Sequence, residues 1–332
     1  MSAIERAILA LLAAMATASL LFLFWGASPV EVYGLLLART WGDAYGFGQV
    51  LFKATPLALT GLAVSLAWRG GLLNVGGEGQ LAAGSLAMGL VGAAMTGVPA
   101  LVALPLALGA GMVAGGVVAA IPAVLKVRAG AHEVISTIMM NFVVVGCIGF
   151  IGRQGAYVEA TVHTAPIAPS AAIPSLGIAG SAASWAVALA VCAAVALHVV
   201  LARSRVGFDV RALGAQAAAA EAGGVAVART TAGLLLASGA MAGLVGASTV
   251  LGYKGYFEDG LGSGSGFMGI AVALLAGGRP LAVLPAALFF ATLSHGALAI
   301  STLVPREIVD VVMGVVILAV GLSLAPRQGA AR

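Results

Sequence analysis

The residues best placed to do chemistry are three polar side chains in an apolar setting. They are Asn74, Glu78 and Gln80, spread through residues 70–85, GGLLNVGGEGQLAAGS. Two amides and a carboxylate offer hydrogen bonds to a polar solute. A carboxylate at membrane depth is costly unless it is paired, hydrogen-bonded or wet. The glycines around it let the backbone break, turn or pack closely at that depth. The stretch reads as the start of an interrupted helix beside a polar path through a membrane protein. The plainer reading is a cytoplasmic turn between two helices, with Glu78 as a first-turn charge complementing the helix dipole. The residues alone leave both open.

A second polar set, Glu133, Ser136, Thr137 and Asn141, recurs at helical spacing. Residues 133, 137 and 141 are four apart and share one helix face. That stripe could line a path for a hydroxyl-rich or base-bearing solute, which needs hydrogen-bond partners once partly dehydrated. It could equally hold helices together by bonding across them. Glu133 also suits a helix start. Two single ionisable residues stand close to the ends of apolar runs, Lys53 and Asp310. Lys53 is expected to snorkel toward the headgroups. Asp310 is expected to pair with a basic group or face a cavity.

These side chains need membrane helices to position them. Of 332 residues, 61% are hydrophobic and 8% charged, and the mean hydropathy is +1.10. Soluble domains carry roughly a quarter charged residues. The apolar segments run about 20 residues without period-two alternation, which predicts an all-α polytopic membrane protein and disfavours a barrel. Abundant alanine and glycine suit close helix packing in lipid. The net charge of +4 lies mainly at segment ends and is no nucleic-acid signal. Cys147 and Cys192 fall inside apolar runs and read as packed thiols, without a disulfide framework or a C-x-x-C metal site.

About ten spans are expected, at residues 7–26, 48–68, 79–95, 100–125, 133–151, 183–202, 230–251, 266–276, 281–300 and 307–324. The first is too long for a secretory h-region and reads as an uncleaved helix. A short polar loop with Glu31, Arg39 and Asp43 is expected after the first span, and the short eighth suits a partly re-entrant element. Residues 152–182 form the longest polar connection, placed outside, and residues 203–229 a second one, placed inside. The latter holds a helix-former run at 211–222 stopped by Gly223 and Gly224. A short amphipathic helix there could dock into a partner or lie on the lipid surface.

With both termini inside, the inner segments hold Arg6, Arg69, Lys126, Arg128, Arg203, Arg205, Arg211, Arg229, Arg279, Arg327 and Arg332. The outer side holds Arg39, Lys53, Arg153, Lys254 and Arg306. Eleven against five satisfies the positive-inside rule. Spans two to five and seven to ten start in opposite directions, which suits an inverted repeat.

Four runs in order, GLLNVGGEGQ, HEVISTIMMNF, VRALGAQAAAAEAGGV and SGFMGIAVALLAGGRP, resemble the permease family of bacterial ABC importers for ribose-type sugars, nucleosides and branched-chain amino acids. The first two are most similar to nucleoside and simple-sugar permeases. The resemblance implies one permease domain over residues 1–332 and a solute path that includes Asn74, Glu78, Gln80, Ser136, Thr137, Asn141 and, in the glycine-rich segment before the eighth span, Phe267. It implies that residues 207–224 form the loop that couples to the ATPase, with Gly207, Arg211, Gly214, Glu221, Gly223 and Gly224. Family members usually carry Asn-Pro where this chain has Ala215-Gln216-Ala217.

The implied partners are a second permease subunit, two cytoplasmic ATP-binding subunits, an extracytoplasmic substrate-binding protein and membrane lipid, with no nucleic acid. No cofactor is expected in this chain, ATP and Mg belonging to the ATPase. No G-x-x-x-x-G-K-[ST] run occurs, and no lysine follows a glycine, so the chain is expected to be a transport subunit and not an enzyme. Nucleosides come first among solutes, simple sugars second and branched-chain amino acids third; the location is the bacterial inner membrane. The rival is an ion-coupled secondary transporter, which shares broken helices and inverted repeats. A serine protease on Ser265 and His295 lacks the G-x-S-G context, and His132-Glu133 lacks the second histidine of H-E-x-x-H.

Overall fold

Apolar runs long enough to bury or to span become helices. The computed structural model describes residues 3–324, which form thirteen helices and no strand. The expected basic tail with Arg327 and Arg332 lies outside the described residues. The helices are α1 (Ala3–Phe24), α2 (Pro29–Thr40), α3 (Ala44–Arg69), α4 (Gly77–Ala94), α5 (Ala100–Ala129), α6 (Glu133–Ile151), α7 (Ala186–Arg203), α8 (Arg205–Ala215), α9 (Ala217–Ala222), α10 (Val227–Gly243), α11 (Ser265–Leu275), α12 (Pro280–Ala299) and α13 (Arg306–Leu324). A wider π-type turn, Ala247–Lys254, extends α10. Ten helices fall on the ten expected spans. Among the described residues, α3, α5, α6, α7, α12 and the extended α10 are each long and apolar enough to cross a membrane.

Three expectations change. The segment after the first span is a helix, not a loop. Proline at its first position, Glu31 in its first turn, and buried Val32, Leu36 and Thr40 at four-residue spacing explain why α2 forms. It bends 114° from α1 across Gly26, whose φ of +82° suits glycine. The run at 211–222 is two helices. Ser204 Oγ accepts from Gly207 N at 3.0 Å and starts α8 early, and extended Gln216 breaks the run so that α9 turns back onto α10. Cys147 and Cys192 are exposed, not packed. On a lipid-facing helix an apolar thiol has no need of a protein neighbour.

Packing of the two four-helix groups is interchangeable. α3 packs on α11 and α12 as α10 packs on α4 and α5, while α4 with α6 matches α11 with α13. The matching helices α3 and α10 run antiparallel, with Phe52 against Tyr253 near one end and Ala63 bonded to Ser238 further along. This is the geometry of an inverted repeat. Glycine brings α5 and α10 into backbone contact. A Cβ on Gly243 would stand 2.2 Å from the Gly111 carbonyl oxygen, and one on Gly115 2.3 Å from that of Gly239. Both helices thus carry a G-x-x-x-G face.

The connection at 152–182 is packed over the ends of α4 and α10. Thr164 Oγ1 accepts from Phe257 N at 3.1 Å, and Ile173 N donates to the Leu251 carbonyl at 2.8 Å.

Candidate functional site

Residues 72–75, ahead of α4, have no regular structure, so their backbone groups need side-chain partners. The polar residues supply them. Val75 N donates to Thr137 Oγ1 (3.2 Å), and Asn141 Nδ2 donates to the Val75 carbonyl (3.0 Å). Asn141 Oδ1 accepts from Gly79 N (2.8 Å), and Asn74 Oδ1 accepts from Gly76 N (2.9 Å). Asn74 Nδ2 donates to Gln80 Oε1 and to Ser238 Oγ, both at 2.8 Å, while Gln80 Nε2 donates back to Asn74 Oδ1 (3.1 Å). Ser238 Oγ then donates to the Ala63 carbonyl at 2.7 Å. Asn74, Gln80, Thr137 and Asn141 are all buried. The stripe on α6 therefore bonds the lead-in to α4, tying α3, α4, α6 and α10 together.

Glu78 points elsewhere. Its Oε1 accepts from Gly264 N at 2.6 Å and its Oε2 from Gly266 N at 2.9 Å, at the start of α11. The first N–H groups of a helix lack intrahelical partners and carry positive partial charge, so a carboxylate there is bonded twice and electrostatically favoured. α4 and α11 begin against each other. A Cβ on Gly266 would stand 2.3 Å from Glu78 N, and one on Gly77 3.4 Å from Gly266 Cα. With only eleven residues, α11 is too short to span a membrane, in keeping with a re-entrant element. Thr60 Oγ1 on α3 donates to the Ser265 carbonyl at 2.9 Å.

Beside this junction lies a cavity of about 340 Å³. Its polar wall includes Lys53, Thr249, Ser263, Ser265, Ser294 and Asp310, and its apolar wall Phe52 and Met268. That volume falls in the range of small-molecule sites, roughly 300–1,000 Å³. Lys53 does not snorkel. It is half-buried, its Nζ donates to Ser294 Oγ at 3.2 Å, and it shares the cavity with Asp310. α3, α12 and α13 bring these residues together, which spacing along the chain could not indicate.

The other expected residues lie apart. Ser136 Oγ bonds the carbonyls of His132 and Glu133 within its own helix. Glu133 pairs with Lys126 at 2.7 Å across the α5–α6 turn. Phe267 is 45% exposed and does not line the cavity. On α8, Gly207 sits against the Val200 carbonyl, and Gly214 against that of Arg69. Arg211, Glu221, Gly223 and Gly224 are exposed, Gly224 with a φ of +88° just past α9. Among the described residues, His295 makes no hydrogen bond to Ser265.

No solved structure matches the chain. Curated sequences do. The chain is 37% identical over 327 residues to the guanosine ABC transporter permease protein NupP of Bacillus subtilis (strain 168), covering 96% of this chain and 93% of that one. It is 32% identical to the glucose ABC transporter permease protein TsgB13 of Haloferax volcanii, over 94% of this chain and 85% of that one. It is 30% identical to the nucleoside ABC transporter permease protein NupB of Lactococcus lactis subsp. cremoris (strain MG1363), over 90% and 85%. The family model for the branched-chain amino acid transport system / permease component matches residues 46–321. With α4 to α12, most of α3 and α13, the cavity and the junction of α4 and α11 inside that match, the chain belongs to the branched-chain amino acid transport system / permease component family.

Proposed function

We propose that this chain is one of two translocation subunits of an ATP-driven ABC importer in the bacterial inner membrane, and that its solute is a nucleoside or a related small polar molecule. The observation that carries this reading is the 37% identity, over nearly the whole chain, to a permease named for guanosine. NupB, named for nucleosides, points the same way. A simple sugar is the second reading, favoured by the likeness to TsgB13.

In this reading the solute passes the cavity at the start of α11. Ser265, Thr249 and Ser294 offer it hydrogen bonds, and Phe52 and Met268 an apolar face. Glu78 holds the two helix starts together, and Asn74, Gln80, Thr137 and Asn141 fix the frame behind them. Both termini lie in the cytoplasm, with residues 203–229 on that side and 152–182 outside. The chain itself binds no ATP. Two ATPase subunits carry ATP and Mg, a second permease completes the path, and an external binding protein delivers the solute. Coupling runs through α8 and α9, with Gly207, Arg211, Gly214, Glu221, Gly223 and Gly224. Exposed Val206 and Phe208 on α8 provide an apolar anchor for an ATPase groove. Differential contacts there bias the two states of the gate.

The test is uptake of labelled guanosine or glucose into proteoliposomes holding the assembled importer. Uptake is expected to need ATP and the binding protein. Phe208→Asp on the exposed face of α8 is expected to abolish solute-stimulated ATP hydrolysis while leaving membrane insertion intact. Concentrative uptake by this chain alone, driven by a proton or sodium gradient, would overturn the reading in favour of a secondary transporter.

A further inference from the structure

A groove of about 250 Å³ opens at the end of the molecule where α3 stops. Arg69, His198, Leu201, Ala202, Arg211 and Pro280 line it, from α3, α7, α8 and α12. Arg69 is aimed by one bond, Nε to the Gly278 carbonyl at 2.7 Å, which uses one of its five N–H donors. Arg211 lines the groove with Arg69, and Arg279, next in the chain to the lining Pro280, adds a third positive charge that acts on Arg69. Among the described residues, no carboxylate lies within 4.0 Å of any of the three. Like charges around one concavity repel each other and draw an anion between them.

The surroundings say what kind of anion. Val191, Val195, His198 and Ala202 recur at helical spacing on one face of α7. Val191 and Val195 are 42% and 46% exposed, so an apolar track leads away from the groove along the membrane direction. An inorganic anion or an acidic protein surface would meet the arginines and leave that track unused. A phospholipid meets both. Arginine's planar fork also matches phosphate oxygens. We propose that the groove holds the phosphodiester headgroup of an anionic phospholipid, with Arg69 and Arg211 on the phosphate, Arg279 adding positive charge beside them, and an acyl chain along the Val191 and Val195 face of α7.

The test is native mass spectrometry of the full-length chain in detergent, titrated with dioleoyl-phosphatidylglycerol or dioleoyl-phosphatidylcholine. The chain is expected to retain phosphatidylglycerol in preference to phosphatidylcholine. Arg211→Gln combined with Arg279→Gln is expected to weaken phosphatidylglycerol binding by about thirtyfold, from two lost surface charges, and to weaken phosphatidylcholine, whose choline offsets its phosphate, by less. Both side chains are exposed and, among the described residues, carry no hydrogen bond of the fold, and Arg39→Gln combined with Arg153→Gln, outside the groove, controls for the loss of two charges. Equal weakening by that control pair, or no weakening by the groove pair, would overturn the proposal. So would displacement of the lipid by inorganic phosphate at equal concentration, which assigns the groove to a free anion. Assembly with other subunits that expels the lipid would assign it to a protein partner instead.

Discussion

The starts of α4 and α11 touch, yet they are held in opposite ways. The lead-in to α4 is neutral and mostly buried: Asn74, Thr137 and Asn141 bond its backbone at Val75, Gly76 and Gly79 from inside the protein, and Gln80 braces Asn74. The lead-in to α11 is glycine-rich and partly exposed, with Gly260, Gly262 and Gly264 all at positive φ. Its main side-chain partners are Glu78 and Thr60. Few buried contacts and exposed backbone bonds mark the low end of local stability. The comparison teaches that one half of an inverted repeat has become frame while the other stays adjustable beside the cavity. A single carboxylate links the two.

The strongest way to break that link is steric. Gly266→Ala puts a Cβ 2.3 Å from the Glu78 backbone nitrogen, so α4 and α11 must separate. The expected loss exceeds about 3 kcal/mol, because backbone cannot yield as a flexible side chain can. Gly77→Ala meets only an ordinary contact at 3.4 Å. Its cost is expected to stay within about 1 kcal/mol. Thermal stability by fluorescence-detected gel filtration measures both, and equal melting temperatures would show that the junction is loose.

Removing the frame's bonds comes next. Asn141→Leu keeps the heavy-atom count and branching of the side chain but leaves Gly79 N–H and the Val75 carbonyl without their partners. Two buried backbone groups left unsatisfied cost roughly 2–4 kcal/mol. The same melting assay is expected to register that loss, and hydrogen exchange is expected to rise across residues 74–80.

Glu78→Ala should do the reverse. It removes both acceptors from the start of α11, where partial exposure limits the cost to roughly 1–2 kcal/mol. Exchange is expected to rise at residues 262–266 and to stay low at 74–80, with transport impaired. Glu78→Gln keeps one acceptor oxygen and is expected to fall between. If α4 loosens as much as α11, the distinction between frame and adjustable half fails; full transport with unchanged stability would make Glu78 an incidental charge.

Much of this architecture is legible in the sequence because membrane helices announce themselves by apolar length. All ten expected spans are helices, and the 133–151 span starts and ends where the sequence places it. The glycine and carboxylate pattern at 74–80 also identifies a helix start that needs partners. What spacing hides is direction. Asn74 and Glu78 are four residues apart, yet one bonds α10 and the other the start of α11. Lys53 and Asp310 look like isolated charges until α3 and α13 are packed around one cavity. The helix α2 is missed for a different reason: twelve residues with Glu31 and Arg39 resemble a polar loop when length is the main signal.

Ser136 sets the lower limit of the comparison. It shares the polar run of α6 with Thr137 and Asn141, and by sequence it belongs to the same set. Its hydroxyl, however, bonds only carbonyls one turn back in its own helix, which already have backbone partners. Nothing in the lead-in to α4 depends on it. Ser136→Ala is therefore expected to change stability by less than about 0.5 kcal/mol, whereas Thr137→Ala removes the acceptor of Val75 N and is expected to cost roughly 1–2 kcal/mol. Melting temperatures of the two variants decide the matter. An equal loss would mean that the stripe acts through α6 itself, and the frame around α4 would have to be redrawn without its division between residues that face the helix start and residues that do not.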